Sequence, residues 1–342
     1  MKKIFFVLAM MVAANAFAYD KQTWNYETGA KLSTGASGVH ALDIYYLETG
    51  EGPYPVFIWI HGSIGTQTVS KETAYSTASA LIDTVLQRGY AVVVPNCNWK
   101  GKDDQPLPLH DCKAVVRFLR NNGEGMSEYP QNIDTSFIAV GGWSTGGLIA
   151  TLMGMRKWSK SEYGEWFEGT AGNFLDNSSS VDAVVSWSGF YVAPENLASY
   201  IGILKNIGGG DSGNRLTLKT FTAFAEDPSP EVVFHGSHDG VIRQADAELL
   251  YNWLQEKIGD DSEYYLMNGQ SHGLIIGSSN YYYYGYMVNF FDRIRAKKAA
   301  AATAVEQIGQ DANAKRQKLL IDGHLLIEHN GKTYNAQGAE VQ

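Results

Sequence analysis

The 342 residues carry 27 Lys and Arg against 36 Asp and Glu, a formal charge of −9. So acidic a chain lacks the basic face that a phosphate backbone requires, which excludes nucleic acid as the default partner. The hydrophobic share of 44% is that of a folded globular protein, and the 36 glycines suit a fold with many tight turns.

At the amino end, Lys2 and Lys3 precede an apolar stretch from Ile4 to Ala14, and Ala16-Phe17-Ala18 follows. A charged start, an apolar centre and a small-residue cleavage site are the parts of a secretory signal. The expectation is a signal peptide over 1–18, cut between Ala18 and Tyr19, and a secreted or periplasmic protein. The alternative, an uncleaved anchor, needs about 20 apolar residues. The mature chain is expected to have no stable membrane insertion. Export bears on the two cysteines, Cys97 and Cys112, because oxidising compartments favour pairing. A disulfide is therefore expected. The histidine spacing of a zinc site does not accompany them.

Two early segments, Trp24 to Leu32 and His40 to Leu47, alternate in the manner of antiparallel edge strands. Short apolar runs then recur: Val56 to Ile60, Ala91 to Val94, Phe137 to Val140, Ala183 to Val185, Val232 to Phe234 and Tyr264 to Met267. Each ends on Gly or polar residues, as strands buried on both faces of a parallel sheet do. Helical segments separate them at Lys71–Arg88, Asp111–Asn121, Gly146–Lys157, Gln244–Lys257 and Tyr282–Lys298. The alternation predicts an α/β fold, a doubly wound and mostly parallel sheet with helices on both faces. The catalytic body is expected over 19–298.

From Ala299 the composition turns alanine-rich, a helix extension or a linker. Asp322-Gly323 and Asn330-Gly331 then separate apolar-rich runs, which is the strongest short hairpin signal. The expectation for 299–342 is a linker and a small hairpin tail, a three-stranded meander too small to be stable alone.

The sharpest chemical signal is Gly142-Trp143-Ser144-Thr145-Gly146, a G-x-S-x-G directly after one predicted strand and directly before a helix. A serine on such a turn is lifted above the sheet, and the helix amino terminus favours developing negative charge. The hydroxyl needs a base, and the base needs an acid to hold it. Asp239 follows the strand Val232 to Phe234, and His272 follows the next one. Both fall where the carboxyl-end loops of a parallel sheet converge. An oxyanion requires backbone N–H donors. Thr145, next to the nucleophile, is one candidate, and Ser63, in the loop His61-Gly62-Ser63-Ile64-Gly65, is the other.

These motifs resemble the α/β-hydrolase superfamily, in particular the esterase branch that holds hormone-sensitive-lipase-like and bacterial feruloyl or acetyl esterases. The resemblance spans Pro55 to Asp292. It rests on HGSIG in the place of HGGG, on LHDCKAVVRFLRNN, GGWSTGG, HGSHDGVI and GQSHGL. It implies Ser144, Asp239 and His272 as the catalytic set, and Ser63, Ile64 and Thr145 as the oxyanion donors. Ser63 and Ile64 stand where the family has glycines. PNCNWKGK replaces the tyrosine-arginine segment usual after the preceding strand, so contacts from that segment do not transfer.

The resulting expectation is an exported serine carboxylester hydrolase that works through an acyl-enzyme and needs no cofactor or metal. Its expected substrate is a small-molecule or glycan ester, an acetyl or feruloyl group on a plant polysaccharide or oligosaccharide. One alternative is a prolyl-oligopeptidase-like serine peptidase, although Tyr19 to Ile60 is too short for the propeller such enzymes carry. Another is a non-catalytic α/β-hydrolase that serves as a binding module. His235 and His238 lack the acidic third ligand of a metal site. The aromatics of Trp158 to Ser180 read equally as pocket lining or as packing. Tyr281 to Tyr284 and Tyr286 read as packing residues. The oligomeric state is not legible.

Overall fold

The computed structural model describes residues 18–50, 52–62, 70–97, 107–159, 161–189, 225–273, 276–310, 317–321, 324–329, 332–335 and 340–341. The signal-peptide stretch 1–17 lies outside the described residues. The chain divides into two compact units, Met1–Ile294 and Arg295–Gln342.

The first unit is built on a nine-stranded sheet in the order β2-β1-β3-β5-β4-β6-β7-β8-β9. The strands are β1 (Tyr19–Asn25), β2 (Lys31–Leu32), β3 (Ala41–Leu47), β4 (Tyr54–Ile60), β5 (Ala91–Pro95), β6 (Ile133–Trp143), β7 (Ala183–Trp187), β8 (Glu231–Gly236) and β9 (Ser262–Met267). β5, β4, β6, β7, β8 and β9 run parallel to one another, while β1, β2 and β3 add an antiparallel edge. The segment Trp24 to Leu32 was expected as a single edge strand. It is instead the end of β1, a turn and the short β2.

Alternation along the central strands loads both faces. Val56, Ile58 and Ile60 of β4 join one core, while Phe57 and Trp59 join the other. In β6, Ile138 and Val140 face the first core, and Phe137 and Ala139 the second. That is the period-two geometry of a strand with no solvent face.

The helices are α1 (Lys71–Thr77), α2 (Ser79–Gln87), α3 (Leu107–Arg120), α4 (Thr145–Gly154), α5 (Ser161–Glu168), α6 (Gln244–Ile258) and α7 (Tyr281–Gln310). Ala74 of α1, Leu81 and Val85 of α2, and Tyr284, Met287 and Phe291 of α7 pack on the Phe57–Trp59 face. Val115 of α3, Leu148 and Leu152 of α4, Phe167 of α5 and Leu250 of α6 pack on the other. The single helix expected over Lys71–Arg88 is two helices that meet at Ala78, whose φ of −115° leaves the helical range. α3 starts before the expected Asp111, with Pro108 in its first turn, where a missing N–H costs nothing. α4 stops at Gly154, short of Lys157.

A buried ion pair ties the antiparallel edge to α1. Lys71 Nζ donates to Asp43 Oδ2 at 3.0 Å, and both side chains are fully buried. Thr23 Oγ1 donates to the other Asp43 oxygen at 2.6 Å. Asn96, just after β5, accepts the Lys71 backbone N–H at 2.6 Å. Breaking such a pair by removing one partner costs several kcal/mol, because a bare charge stays buried.

Cys97 and Cys112 are both buried, with their Sγ atoms 3.3 Å apart, as two free thiols. The expected disulfide is thus not formed in this structure, since a bond needs about 2.05 Å. The neighbouring sulfur, then burial, push the Cys97 thiol well above its ordinary range.

The second unit holds β10 (Gln317–Ile321), β11 (His324–His329), β12 (Lys332–Asn335) and β13 (Glu340–Val341) in one antiparallel sheet. Ile321 faces His324 and His329 faces Lys332, so two residues make each connection. Asp322-Gly323 and Asn330-Gly331 themselves lie outside the described residues. The expected meander had three strands. The fourth, β13, is a two-residue addition held by Lys332 to Glu340 at 2.9 Å. The alanine-rich run continues α7 to Gln310. No helix among the described residues is long and apolar enough to cross a membrane.

Candidate active site

Ser144 stands between β6 and α4 with φ 57° and ψ −121°, a backbone region that non-glycine residues rarely occupy. The surrounding glycines make the turn possible. A Cβ on Gly142 would lie 2.4 Å from the Gly146 carbonyl, and one on Gly146 would lie 2.2 Å from the Ile60 carbonyl oxygen. Backbone therefore packs against backbone on both sides of the serine. The Ser144 N–H donates to the Trp187 carbonyl of β7 at 2.9 Å, which fixes the elbow to the neighbouring strand. Ser144 is only 5% exposed.

Asp239 and His272 sit in the turns after β8 and β9. The structure brings both to Ser144. His272 Nδ1 lies 2.8 Å from Asp239 Oδ2, and His272 Nε2 lies 3.0 Å from Ser144 Oγ. Asp239 Oδ1 also accepts the N–H groups of Val241 at 2.9 Å and Ile242 at 2.8 Å. Burial alone would raise the Asp239 carboxyl. The hydrogen bonds from His272, Ile242 and Val241 outweigh it and hold the group down at about 2. An ionised Asp239 accepts a hydrogen bond from the Nδ1–H of His272. That fixes the tautomer and leaves the Nε2 lone pair facing the Ser144 hydroxyl.

Thr145 opens α4 and is buried, and amides of a helix's first turn point out of its end. Ser63 and Ile64, the other expected oxyanion donors, lie outside the described residues.

Several contacts at the site carry no sequence signal of their own. Trp143 donates its indole N–H to the His272 carbonyl at 2.9 Å, and its ring lies 5.2 Å from the imidazole. His61 meets the same indole edge-on at 5.7 Å, and burial lowers its pKa. His235 is fully buried beneath the acid. Its Nε2 lies 3.2 Å from the Ile242 carbonyl, and burial lowers its pKa as well. Val241 and Ile242 reach the site through their amides alone, on which Asp239 closes an Asx turn. Among the described residues, no cluster of three or more His, Cys, Asp or Glu could hold a metal.

Trp158, Trp166 and Phe167 gather on and beside α5, with Trp158 stacked on Phe167 at 4.1 Å. Trp158 bridges to Ala225 and Met155 to Pro228, which precede β8, so this cluster reaches toward the amino-terminal edge of the sheet. Of the tyrosine run, Tyr284 is buried as packing, whereas Tyr281 and Tyr282 are 58% and 68% exposed.

A doubly wound sheet with a strained serine elbow, and with loops after the next strands closing on it, is the α/β-hydrolase fold in its esterase branch. The chain belongs to the BD-FAE family, whose model matches residues 42–254. Among solved structures it is similar to a truncated carbohydrate esterase from gut microbiota. That match has TM-score 0.64 and 24% identity, over 82% of this chain and 98% of the other. It is also similar to the bifunctional GH43-CE protein of Bacteroides eggerthii, with TM-score 0.61 and 26% identity, over 75% of this chain but 33% of that larger one. A third is the acetyl ester-xyloside bifunctional hydrolase of Caldicellulosiruptor lactoaceticus, with TM-score 0.52 and 21% identity, over 74% and 88%. No curated protein matches the chain in sequence.

Proposed function

We propose that the chain is an exported serine carboxylester hydrolase that removes acetyl or feruloyl groups from plant polysaccharide or oligosaccharide esters. The observation that carries the reading is the line from Asp239 through His272 to Ser144, with contacts of 2.8 and 3.0 Å. Ser144 Oγ attacks the ester carbonyl while His272 Nε2 takes its proton. The imidazolium so formed is stabilised by Asp239 and returns the proton to the leaving alcohol. Water then repeats the sequence on the acyl-enzyme. Thr145 N–H, joined by Ser63 and Ile64, is the proposed donor set for the oxyanion.

The glycan side of the reading is supported by the names of the similar structures, a carbohydrate esterase and an acetyl ester-xyloside hydrolase among them. Export is supported by the Lys2-Lys3, apolar, Ala-Phe-Ala sequence. In an oxidising compartment the two thiols 3.3 Å apart would close to a disulfide. The proposed organisation is a signal over 1–18, a catalytic body over 19–298 and a dispensable tail over 299–342. A chain ending at Lys298 should keep its specific activity.

The test is turnover of acetyl, butyryl, feruloyl and peptide chromogens, together with release of acetate or ferulate from esterified xylan fragments. Ser144→Ala and His272→Ala should each lose on the order of 10⁴-fold or more, and Asp239→Asn somewhat less. Turnover of an aryl acetate with no release from any glycan ester would remove the polysaccharide substrate. Preferential peptide cleavage would remove the esterase class.

A further inference from the structure

A cavity of about 550 Å³ opens between α3, the end of α4, and α5. Neither Ser144, Asp239 nor His272 lines it. Met153 and Met155 reach it from the far end of α4, whose first residue follows Ser144. Ten helical residues at 1.5 Å each put about 15 Å between the cavity and the nucleophile. Its size falls in the range of small-molecule sites, roughly 300–1,000 Å³.

The lining combines one aromatic face with a polar wall. Trp158 is half-buried, and Phe167 covers one side of it at 4.1 Å with the rings 9° from parallel. The same Trp158 lines the cavity. Lys113 also lines the cavity, with its side chain 6% exposed. Its Nζ donates to Glu168 Oε2 at 2.8 Å and to Ser179 Oγ at 3.0 Å. An ammonium group has three N–H donors, so one is left for a ligand.

The charges at the wall sum to zero before any ligand arrives, Lys113, Arg117 and Arg156 standing against Glu168, Asp227 and Glu165. Glu168 is shared by Lys113 and by Arg117, at 2.6 Å from the latter, and Arg156 pairs with Asp227 at 2.7 Å. Glu165 adds an exposed carboxylate at the rim. An anionic ligand would meet that carboxylate and a cationic one the lysine. The arrangement suits an uncharged molecule rich in hydroxyls with a flat apolar face. A pyranose ring fits that description, because its C–H face stacks on an indole while its hydroxyls reach polar side groups.

We propose that this cavity is a second, non-catalytic site for a neutral sugar chain, with Trp158 as the stacking face and the Lys113 ammonium as an N–H donor to the sugar's hydroxyl oxygens. The choice of ligand rests on the carbohydrate-ester reading above, whereas the site itself uses none of its chemistry. A polymer seated here would be held on the enzyme while its esters are presented about 15 Å away.

The experiment is calorimetric titration of the full chain carrying Ser144→Ala with unsubstituted xylohexaose, cellohexaose and mannohexaose. At least one should bind with Kd below about 1 mM. Trp158→Ala should weaken it about tenfold or more, and Trp158→Phe should restore it to within about threefold. Glu165→Trp is a second probe at an exposed rim position, where folding is not at stake. It should weaken binding alike by filling the mouth. With Ser144 in place, Trp158→Ala should leave aryl acetate turnover unchanged and raise KM for a polymeric ester. Absence of binding by all three sugars, or binding indifferent to both Trp158→Ala and Glu165→Trp, would overturn the proposal. Sugar binding without turnover of any ester would defeat the esterase reading and leave this site standing. Aryl acetate turnover without sugar binding would do the reverse.

Discussion

Trp143 holds the histidine loop by its backbone. The residue immediately before Ser144 donates its indole N–H to the carbonyl of His272, 2.9 Å away and 129 positions later in the chain. Ser144 and His272 are thereby set relative to each other through a backbone carbonyl, while the same indole packs 5.2 Å from the imidazole. Trp143→Phe keeps the ring and deletes the donor. One hydrogen bond of about 0.5–1.5 kcal/mol is lost, so kcat should fall by up to about tenfold. The change should appear in kcat rather than in reaction with a small fluorophosphonate at saturation. An unchanged kcat would show that the loop is held by its other contacts.

Asp239 gives the site a pH dependence of definite sign. Its folded pKa, about 2, lies below the ordinary value of 3.8. A carboxyl depressed by folding stabilises the native state above its unfolded pKa. That contribution fades as pH falls through the folded value. The stability difference between the wild type and Asp239→Asn should therefore be constant above about pH 5 and shrink between about pH 4 and 2. Denaturant titrations of both proteins across that window would read it. A difference that instead grew on acidification would mean that the carboxylate is not held by its hydrogen bonds.

The glycines divide sharply by what surrounds them. Gly142→Ala would put a Cβ 2.4 Å from backbone atoms of Gly146, which cannot turn away. Destabilisation of about 1–3 kcal/mol or more is expected, with loss of the reactive serine. Gly285 lies inside α7 with nothing within 4 Å of its would-be Cβ. Gly285→Ala should stabilise by roughly 0.5–1 kcal/mol, since glycine is the poorer helix former. Thermal melts of the two variants should move in opposite directions.

The paired thiols give a fourth prediction. Cys97 and Cys112 are 15 positions apart in sequence and 3.3 Å apart in space. Oxidation of the mature protein should remove two hydrogens by mass and add about 3 kcal/mol in the loop-entropy account. Reducing agent should lower the melting temperature correspondingly. Two thiols alkylated without denaturant in protein recovered from outside the cytoplasm would exclude the bond there.

The sheet was legible because its strands are buried on both faces. Runs such as Val56 to Ile60 need no solvent-facing residue and stand out as unbroken apolar segments. The turns bearing Ser144, Asp239 and His272 were legible because each directly follows such a run. What sequence could not show is mostly pairing at a distance. Asp43 and Lys71, 28 positions apart, look like ordinary surface charges until the fold buries both. The break at Ala78 has no glycine or proline to announce it. β13 is two residues long, too short for any periodicity. The turn residues Val241 and Ile242 act through their amides, which every residue but proline has, so side-chain chemistry could not single them out.

Among the described residues the sheet ends at β9, where one side of the backbone ladder has no neighbouring strand. An open edge of this kind invites another chain to add itself. β9 carries Glu263, pinned by Arg293 of α7 at 2.6 Å, and Tyr265, whose hydroxyl donates to the same carboxylate at 2.9 Å. A strand docking there would have to bring its own side chains past an ionic cluster that already satisfies itself. The same residues that finish the fold should therefore keep the molecule dispersed. Neutralising the cluster would be felt first as precipitation in concentrated solution, with catalysis in dilute solution unaffected.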